Sequence, residues 1–405
     1  MNRSKLLLVC HGLVFMALLG QPRTQEMVVS RQDGSQVKGA LLRLDGSGRE
    51  ASLVMEVAGR EVETSLAQVL AIHGRGPSPV GSATVSLVGG DHLRGELQGG
   101  DAAGETFTVV TRSLGPVSVA LDRLAWVRFG GGTDALVVPE GVSEDEALFR
   151  HARRGLDTIL GAIDRFTARG VMFEWGESED PGLFAYSSLA GLALRGGDGP
   201  PEPATAQLVT RSGDRVAVEF AGLNDAGFDF VLEGGRRIGV ARSNISAITF
   251  LGPDRRFLSE LDPVRVEEKS SHLPGDDGAL FPYRRDRTVT GGFLVAGGYG
   301  YGKGLGVHAR SVLTYRVPQG FGRFWVRAVM DDEVLKLPVR AEAVITIKLD
   351  NEVVFGPSPL RSGKPSRLIG PLPVRPGGLL TLEADFGVGW FVGDRVDWLL
   401  PVFLK

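Results

Sequence analysis

The stretch GGYGYGKGLGVHARS, residues 297–311, has six glycines in its first ten positions and a lysine, Lys303, directly after Gly302. Gly297, four residues, Gly302 and Lys303 match the opening of a phosphate-binding loop, whose backbone N–H groups cradle phosphates while the lysine reaches them. The match then fails. Gly304 stands where a serine or threonine would bind magnesium. The residues from Val307 onward, VHARSVLTYRV, alternate as a strand, whereas the phosphate site needs a helix N-terminus to supply its dipole and amides. The stretch reads as a glycine-rich turn that permits close strand packing, with Lys303 on its rim and His308 entering the next strand.

Other catalytic patterns are missing from the sequence. There is no Gly-x-Ser-x-Gly elbow and no His-Glu-x-x-His zinc motif, and the six histidines are scattered. A carboxylate pair for glycoside hydrolysis need not be close in sequence, but the patterned segments leave no stretch for a catalytic barrel. The acidic run Asp331-Asp332-Glu333 ends a strand pattern. Calcium takes about six to eight oxygens. Three adjacent carboxylates do not all point one way, so Asp331 and Asp332 supply at most part of a calcium site, and a solvated turn is the competing reading. No other cofactor is expected.

The elements around these residues read as strands. The chain has 405 residues, 57 of them glycine, with 43% hydrophobic and 23% charged residues. That is globular composition, and the length implies several domains. The net charge of −3 gives no bulk attraction to nucleic acid, and no strand interleaves aromatic and basic residues as nucleic-acid binders do. Residues 1–20 read as a secretory signal peptide: Arg3 and Lys5, an apolar run from Leu6 to Leu19, then Gly20. An uncleaved anchor is the competing reading, although the run is short of the roughly 20 residues a span needs. Cys10 is the only cysteine, so cleavage leaves a mature chain with no disulfide, no thiol nucleophile and no further transmembrane span. The protein is expected to be secreted, or to lie in the periplasm or cell envelope.

Four segments repeat one pattern: DGSQVKGALLRLDG from Asp33, GDHLRGELQGGDAAG from Gly90, LDTILGAIDRFTARG from Leu156 and SGDRVAVEFAGLNDAG from Ser212. Gly39, Gly95 and Gly161 occupy one position in it, and Ala217 replaces them in the last copy. A glycine inside a strand marks a bulge or bend that lets a small sheet curl. The fold class is therefore all-β: an array of four small β-barrel-like repeats followed by a β-sandwich, which several strand patterns without a long helix after Phe257 suggest. The expected divisions are residues 27–76, 82–132, 143–197 and 204–252 for the repeats, and 255–405 for the sandwich. Ser143 with Asp145 and Glu146 predicts a short helix opening the third repeat, with Ala147, Leu148 and His151 on one face. The turn and strand that open each copy resemble the start of Sm-like barrels.

The C-terminal segments are distinctive in their order. LSELDPV, YRRDRTVTGG, KGLGVHARS, VMDDE and DRVDW succeed one another between Phe257 and Lys405. Together they resemble the NPCBM family of carbohydrate-binding modules, and the resemblance implies a sandwich of jelly-roll, galactose-binding-like type. The resemblance implies binding of terminal galactose-type sugars without catalysis, since known members stand beside glycoside hydrolases, while other members have no established ligand. Sugar recognition needs an aromatic face and polar groups for hydroxyls. The candidates are Tyr299, Tyr301, His308, Arg310, Trp390 and Asp397. For His308 the competing reading is a structural histidine tied to a backbone carbonyl, and Trp398 reads as core. The leading expectation is an exported carbohydrate-binding protein with the repeats as spacer or assembly platform. The rivals are a structural, protein-binding component of the envelope and, behind it, a glycoside hydrolase.

Overall fold

A computed structural model of the chain describes residues 25–46, 48–130, 146–176, 180–194, 204–269, 281–388 and 392–405. The signal-peptide segment, Ser143, Asp145 and Trp390 lie outside them. The described residues are all-β, with only short 3-10 turns between strands. None of their helices is long and apolar enough to cross a membrane.

Before residue 251 the described strands come in runs of five. The first run is Glu26–Arg31, Gln36–Asp45, Ser52–Val57, Arg60–Ser65 and Val69–His73, with the 3-10 turn Leu66–Gln68 before its fifth strand. The first four strands pair antiparallel in succession, and after the turn the fifth pairs with the first, placing Val29 opposite Ile72. The runs from Ala83, from Glu146 and from Ala206 close in the same way. The second strand of each run makes the curl possible. A Cβ on Gly39, Gly95 or Gly161 would stand 2.2, 2.2 or 1.9 Å from the carbonyl oxygen of Glu56, Val110 or Glu174 on the third strand. The register then slips a little further on, between Leu41 and Arg43, Leu97 and Gly99, and Ile163 and Arg165. Glycine thus allows the close approach, and the bulge beyond it adds the twist.

Fifth strands also join the runs to one another. Ile72 pairs with Ile248, and Val127 with Leu192, so the first run abuts the fourth and the second abuts the third. One apolar core extends through all of them. The helix expected near residue 146 is instead the strand Glu146–His151, held between Leu156–Phe166 and Leu189–Ala193. Pairing on both edges overrides the local cap signal, and Ala147 and Leu148 are fully buried in the sheet.

The C-terminal domain is a sandwich of two antiparallel sheets. One is ordered Arg284–Arg285, Gly304–His308, Arg395–Leu404, Arg323–Met330 and Arg367–Pro373, with Arg255–Phe257 added to Arg395–Leu404. The other is ordered Arg265–Glu268, Ser311–Arg316, Leu379–Phe386, Glu342–Leu349 and Glu352–Arg361. Phe324, Val326, Ile345, Leu382 and Trp398 fill the space between them. Trp325, Val329, Leu399 and Val402 point the other way and form a second core with Leu70 and Ala71 of the first run. Two strands of the first sheet are therefore buried on both faces, which is why WLLPVFL and FWVRAVM read as nearly continuous apolar runs. Trp325 also donates from Nε1 to the carbonyl of Gln32 at 3.0 Å. Burying a side chain of that size contributes on the order of 4 kcal/mol, so the repeats and the sandwich form one body.

Candidate functional site

The glycine stretch lies directly on this contact. The N–H of Gly300 donates to the carbonyl of Gly74 at 3.0 Å, and the N–H of Gly76 donates to the carbonyl of Gly298 at 2.9 Å. A Cβ on Gly300 would stand 2.0 Å from Ser246 Oγ, and one on Gly302 would stand 2.6 Å from Thr249 Oγ1. These glycines bring the turn onto the fifth strands of the first and fourth runs.

That docking decides which candidate side chains are open. Tyr301 is buried, its ring 4.2 Å from that of His73, and Gln36 Nε2 donates to its hydroxyl at 3.4 Å. It belongs to the contact and presents no face to a ligand. His73 joins the two halves: its Nδ1 donates to the carbonyl of Gly300 at 2.8 Å, and its Nε2 lies 2.9 Å from Ser30 Oγ. The carbonyl only accepts, so the proton sits on Nδ1 and Ser30 donates to Nε2. Burial holds this imidazole down at about 4. Nothing local in VLAIH marks His73, apart from a polar residue closing an apolar strand.

Lys303 is also inside. It is buried, and its Nζ lies 3.2 Å from Asp286 and 3.4 Å from Glu260. Arg215 of the fourth run approaches the same Asp286 at 3.7 Å and donates to its backbone carbonyl. Burial pushes the Asp286 carboxyl up, but Lys303 and Arg215 outweigh it and hold the group below its ordinary value. Lys303 is thus a structural cation, not a rim residue.

His308, Asp331 and Asp397 are held by the sandwich itself. His308 is buried; its Nδ1 donates to the carbonyl of Ala309 at 2.5 Å and its ring stacks at 5.2 Å on Phe281. Asp397 lies on the central strand between Gly306 and Val329, is 1% exposed, and has no hydrogen-bond partner on either oxygen. It is therefore no sugar ligand. Burial first, then the charges of Asp331, Glu333 and Asp332, push its carboxyl well above the ordinary range. Asp331 is buried, accepts the N–H of Glu333 at 2.8 Å and is pushed up to about 6, chiefly by burial. Asp332 accepts the N–H of Gly298 at 3.4 Å, so the acidic turn braces the glycine turn. Among the described residues, no three His, Cys, Asp or Glu side chains are grouped to hold a metal ion. Arg310 is exposed, exchanges backbone hydrogen bonds with Lys269 and does not line the cleft that Tyr299 borders.

Tyr299 alone of the described aromatic candidates meets an open cavity. It borders a cleft of about 1010 Å³ between the glycine turn and the repeats. Lys38 and Arg75 of the first run, Arg112 of the second and Arg211 of the fourth line it, with Glu26 as the single carboxylate. The Tyr299 hydroxyl donates to Glu26 at 3.2 Å, and Lys38 Nζ lies 5.5 Å from the centre of its ring. Sequence reasoning missed the four cations because they are far apart along the chain.

Residues 256–404 match the model of the NPCBM/NEW2 domain. No curated protein matches the sequence. Among solved structures, the chain is similar to CBM51 from Clostridium perfringens GH95 in complex with methyl-galactose, at 20% identity and a TM-score of 0.31, covering 37% of this chain and 99% of that one. It is similar to CBM51-2, in complex with GlcNAc, and INT domains from Clostridium perfringens ZmpB, at 18% identity and a TM-score of 0.33, covering 44% of this chain and 36% of that one. It is also similar to the tandem CBM51 modules of the family 98 glycoside hydrolase Sp3GH98 from Streptococcus pneumoniae, at 20% identity and a TM-score of 0.29, covering 37% of this chain and 47% of that one. The chain thus spans less than half the length of the last two.

Proposed function

We propose that this is an exported, non-catalytic carbohydrate-binding protein whose sugar site lies at the cleft beside Tyr299. The match of residues 256–404 to the NPCBM/NEW2 domain carries the reading. Tyr299 offers a half-exposed ring for the apolar face of a sugar, and Asn244 and Ser243 line the same cleft with groups for hydroxyls. The repeats act as a platform that supplies part of the cleft wall. Terminal galactose-type sugars are the first ligands to try, and export rests on the residues before Gly20. The acidic turn serves as a brace with no bound cofactor. The test is a glycan array with the full chain and with Tyr299→Ala. The reading predicts binding to at least one glycan and its loss in the variant; binding of no glycan would overturn it.

A second reading has its own support. The outer face of one sandwich sheet is spent on the repeats, a use that suits an assembly component of the envelope. Pull-down of envelope proteins by a chain that binds no glycan would favour it.

A further inference from the structure

We infer that the cleft beside Tyr299 takes an anionic saccharide, one bearing carboxylate or sulfate groups; this rests on the carbohydrate reading above and goes beyond it. The charge balance is the first observation. The chain carries a net −3, yet this one cleft collects Lys38, Arg75, Arg112 and Arg211 against Glu26 alone. Three separate runs supply these cations, so no local charge pattern along one strand accounts for them.

The second observation is that the arginines are unspent. The side chains of Arg75, Arg112 and Arg211 make no hydrogen bond or ion pair with the described residues. Buried arginines of this protein behave otherwise: Arg255 donates to the carbonyl of Val69, and Arg327 to that of Gly34. Lys38 does pair with Glu26 at 3.1 Å, but both side chains are more than half exposed, and such a pair is worth little and opens readily to a competing anion. A planar guanidinium presents paired donors that match carboxylate and sulfate oxygens. Electrostatic focusing in a cleft strengthens that match.

The third observation separates a saccharide from a simple ion. The volume of about 1010 Å³ lies at the top of the roughly 300–1,000 Å³ range of ligand clefts, far more than one sulfate or phosphate needs. Tyr299 lends a ring beside the cations, and Gly297 and Gly298, without side chains, leave the approach to it open.

The experiment is calorimetric titration of the full chain with four probes: a sulfated galactan tetrasaccharide, a galacturonate tetramer, a neutral galactan tetramer and inorganic sulfate. At least one charged tetramer is expected to bind about tenfold or more tighter than the neutral one, as charge-assisted hydrogen bonds require, with affinity falling as salt rises. The preferred tetramer tells sulfate from carboxylate. In Arg75→Gln/Arg211→Gln the charged tetramer is expected to lose about tenfold while the neutral one is unaffected. Arg112→Gln, at an exposed position, repeats the comparison if the double variant folds poorly. Equal affinity for neutral and charged tetramers, unchanged affinity in the variants, or sulfate binding as tightly as the charged tetramers would overturn the inference while leaving the carbohydrate reading intact. Binding of no tetramer, together with a blank glycan array, would remove both.

Discussion

His73 Nδ1 donates to the carbonyl of Gly300 at 2.8 Å, across the contact between the repeats and the sandwich. The hydrogen bond holds the glycine turn on the first run; burial, not this bond, keeps the ring neutral, and the neutral ring leaves Nε2 to accept from Ser30. Burial lowers the His73 value from 6.5 to about 4. The unfolded chain takes up this proton as pH falls through about 6.5, and the folded protein does so only near 4. The stability that depends on neutral His73 is therefore present above that window and lost on descending through it. The expected loss is on the order of 3 kcal/mol. His73→Gln keeps an N–H for Gly300 but cannot titrate. Urea unfolding at pH 7 and pH 4.5 should show wild type losing more than the variant, and parallel losses would refute the assignment.

Gly300 provides a steric test of the same contact. Its added Cβ would meet Ser246 Oγ at 2.0 Å, whereas one on Gly322 meets nothing within 4 Å. Gly300→Ala should cost about 1–3 kcal/mol, the range for overpacking, and Gly322→Ala much less. Ser246 Oγ has no hydrogen-bond partner, so Ser246→Ala removes the 2.0 Å contact without orphaning a group and leaves the Ser246 carbonyl oxygen, at 3.1 Å, as the nearest atom. The double variant should recover most of the lost Tm. A double variant no better than Gly300→Ala would mean that the close approach is not what the glycine serves.

The all-β class was legible because turn glycines and alternating strands are local signals. The sandwich was legible because its motifs come in order. The contact between the two halves was not, although its trace is visible afterwards. An edge-to-edge apolar strand such as WLLPVFL says that both faces are covered but not by what. The residues around 146 misled because a capping signal describes only neighbours in sequence, whereas Ala147 and Leu148 answer to strands on either side. Tyr301 and His308 were plausible ligands by type, and only packing shows that one serves the domain contact and the other a carbonyl of its own turn. The cations of the cleft come from positions 38 to 211, and only the fold brings them together.

Asp397 tests the acidic turn. Burial and the neighbouring acids raise its folded value well above the ordinary 3.8, so the folded protein holds a proton that the unfolded chain releases. The folded state therefore loses stability as pH rises from about 4 through the raised folded value. Asp397→Asn removes that penalty in nearly the same shape. The variant should match wild type near pH 4 and exceed it at pH 8 by about 1–3 kcal/mol. EGTA should leave the Tm of wild type unchanged; a drop that calcium restores would instead make Asp331 and Asp332 part of a metal site.

Lys303 separates the rim reading from the structural one. It is buried with Asp286 and Glu260, and Arg215 reaches the same Asp286 from the fourth run. Lys303→Met keeps the aliphatic length and deletes the charge. Asp286 then keeps Arg215, at 3.7 Å, as its one cationic partner beside the N–H of Gly304, and the loss of one partner from a buried pair costs about 3–5 kcal/mol. The single change should therefore lower Tm clearly. Asp286→Asn added to it removes the stranded charge and should restore part of the loss. Glycan affinity of the folded variant should stay at the wild-type level, because Lys303 lies within the core contact and not on the cleft lined by Arg75 and Arg211. A Lys303→Met protein with unchanged Tm and weakened glycan binding would return this residue to the rim.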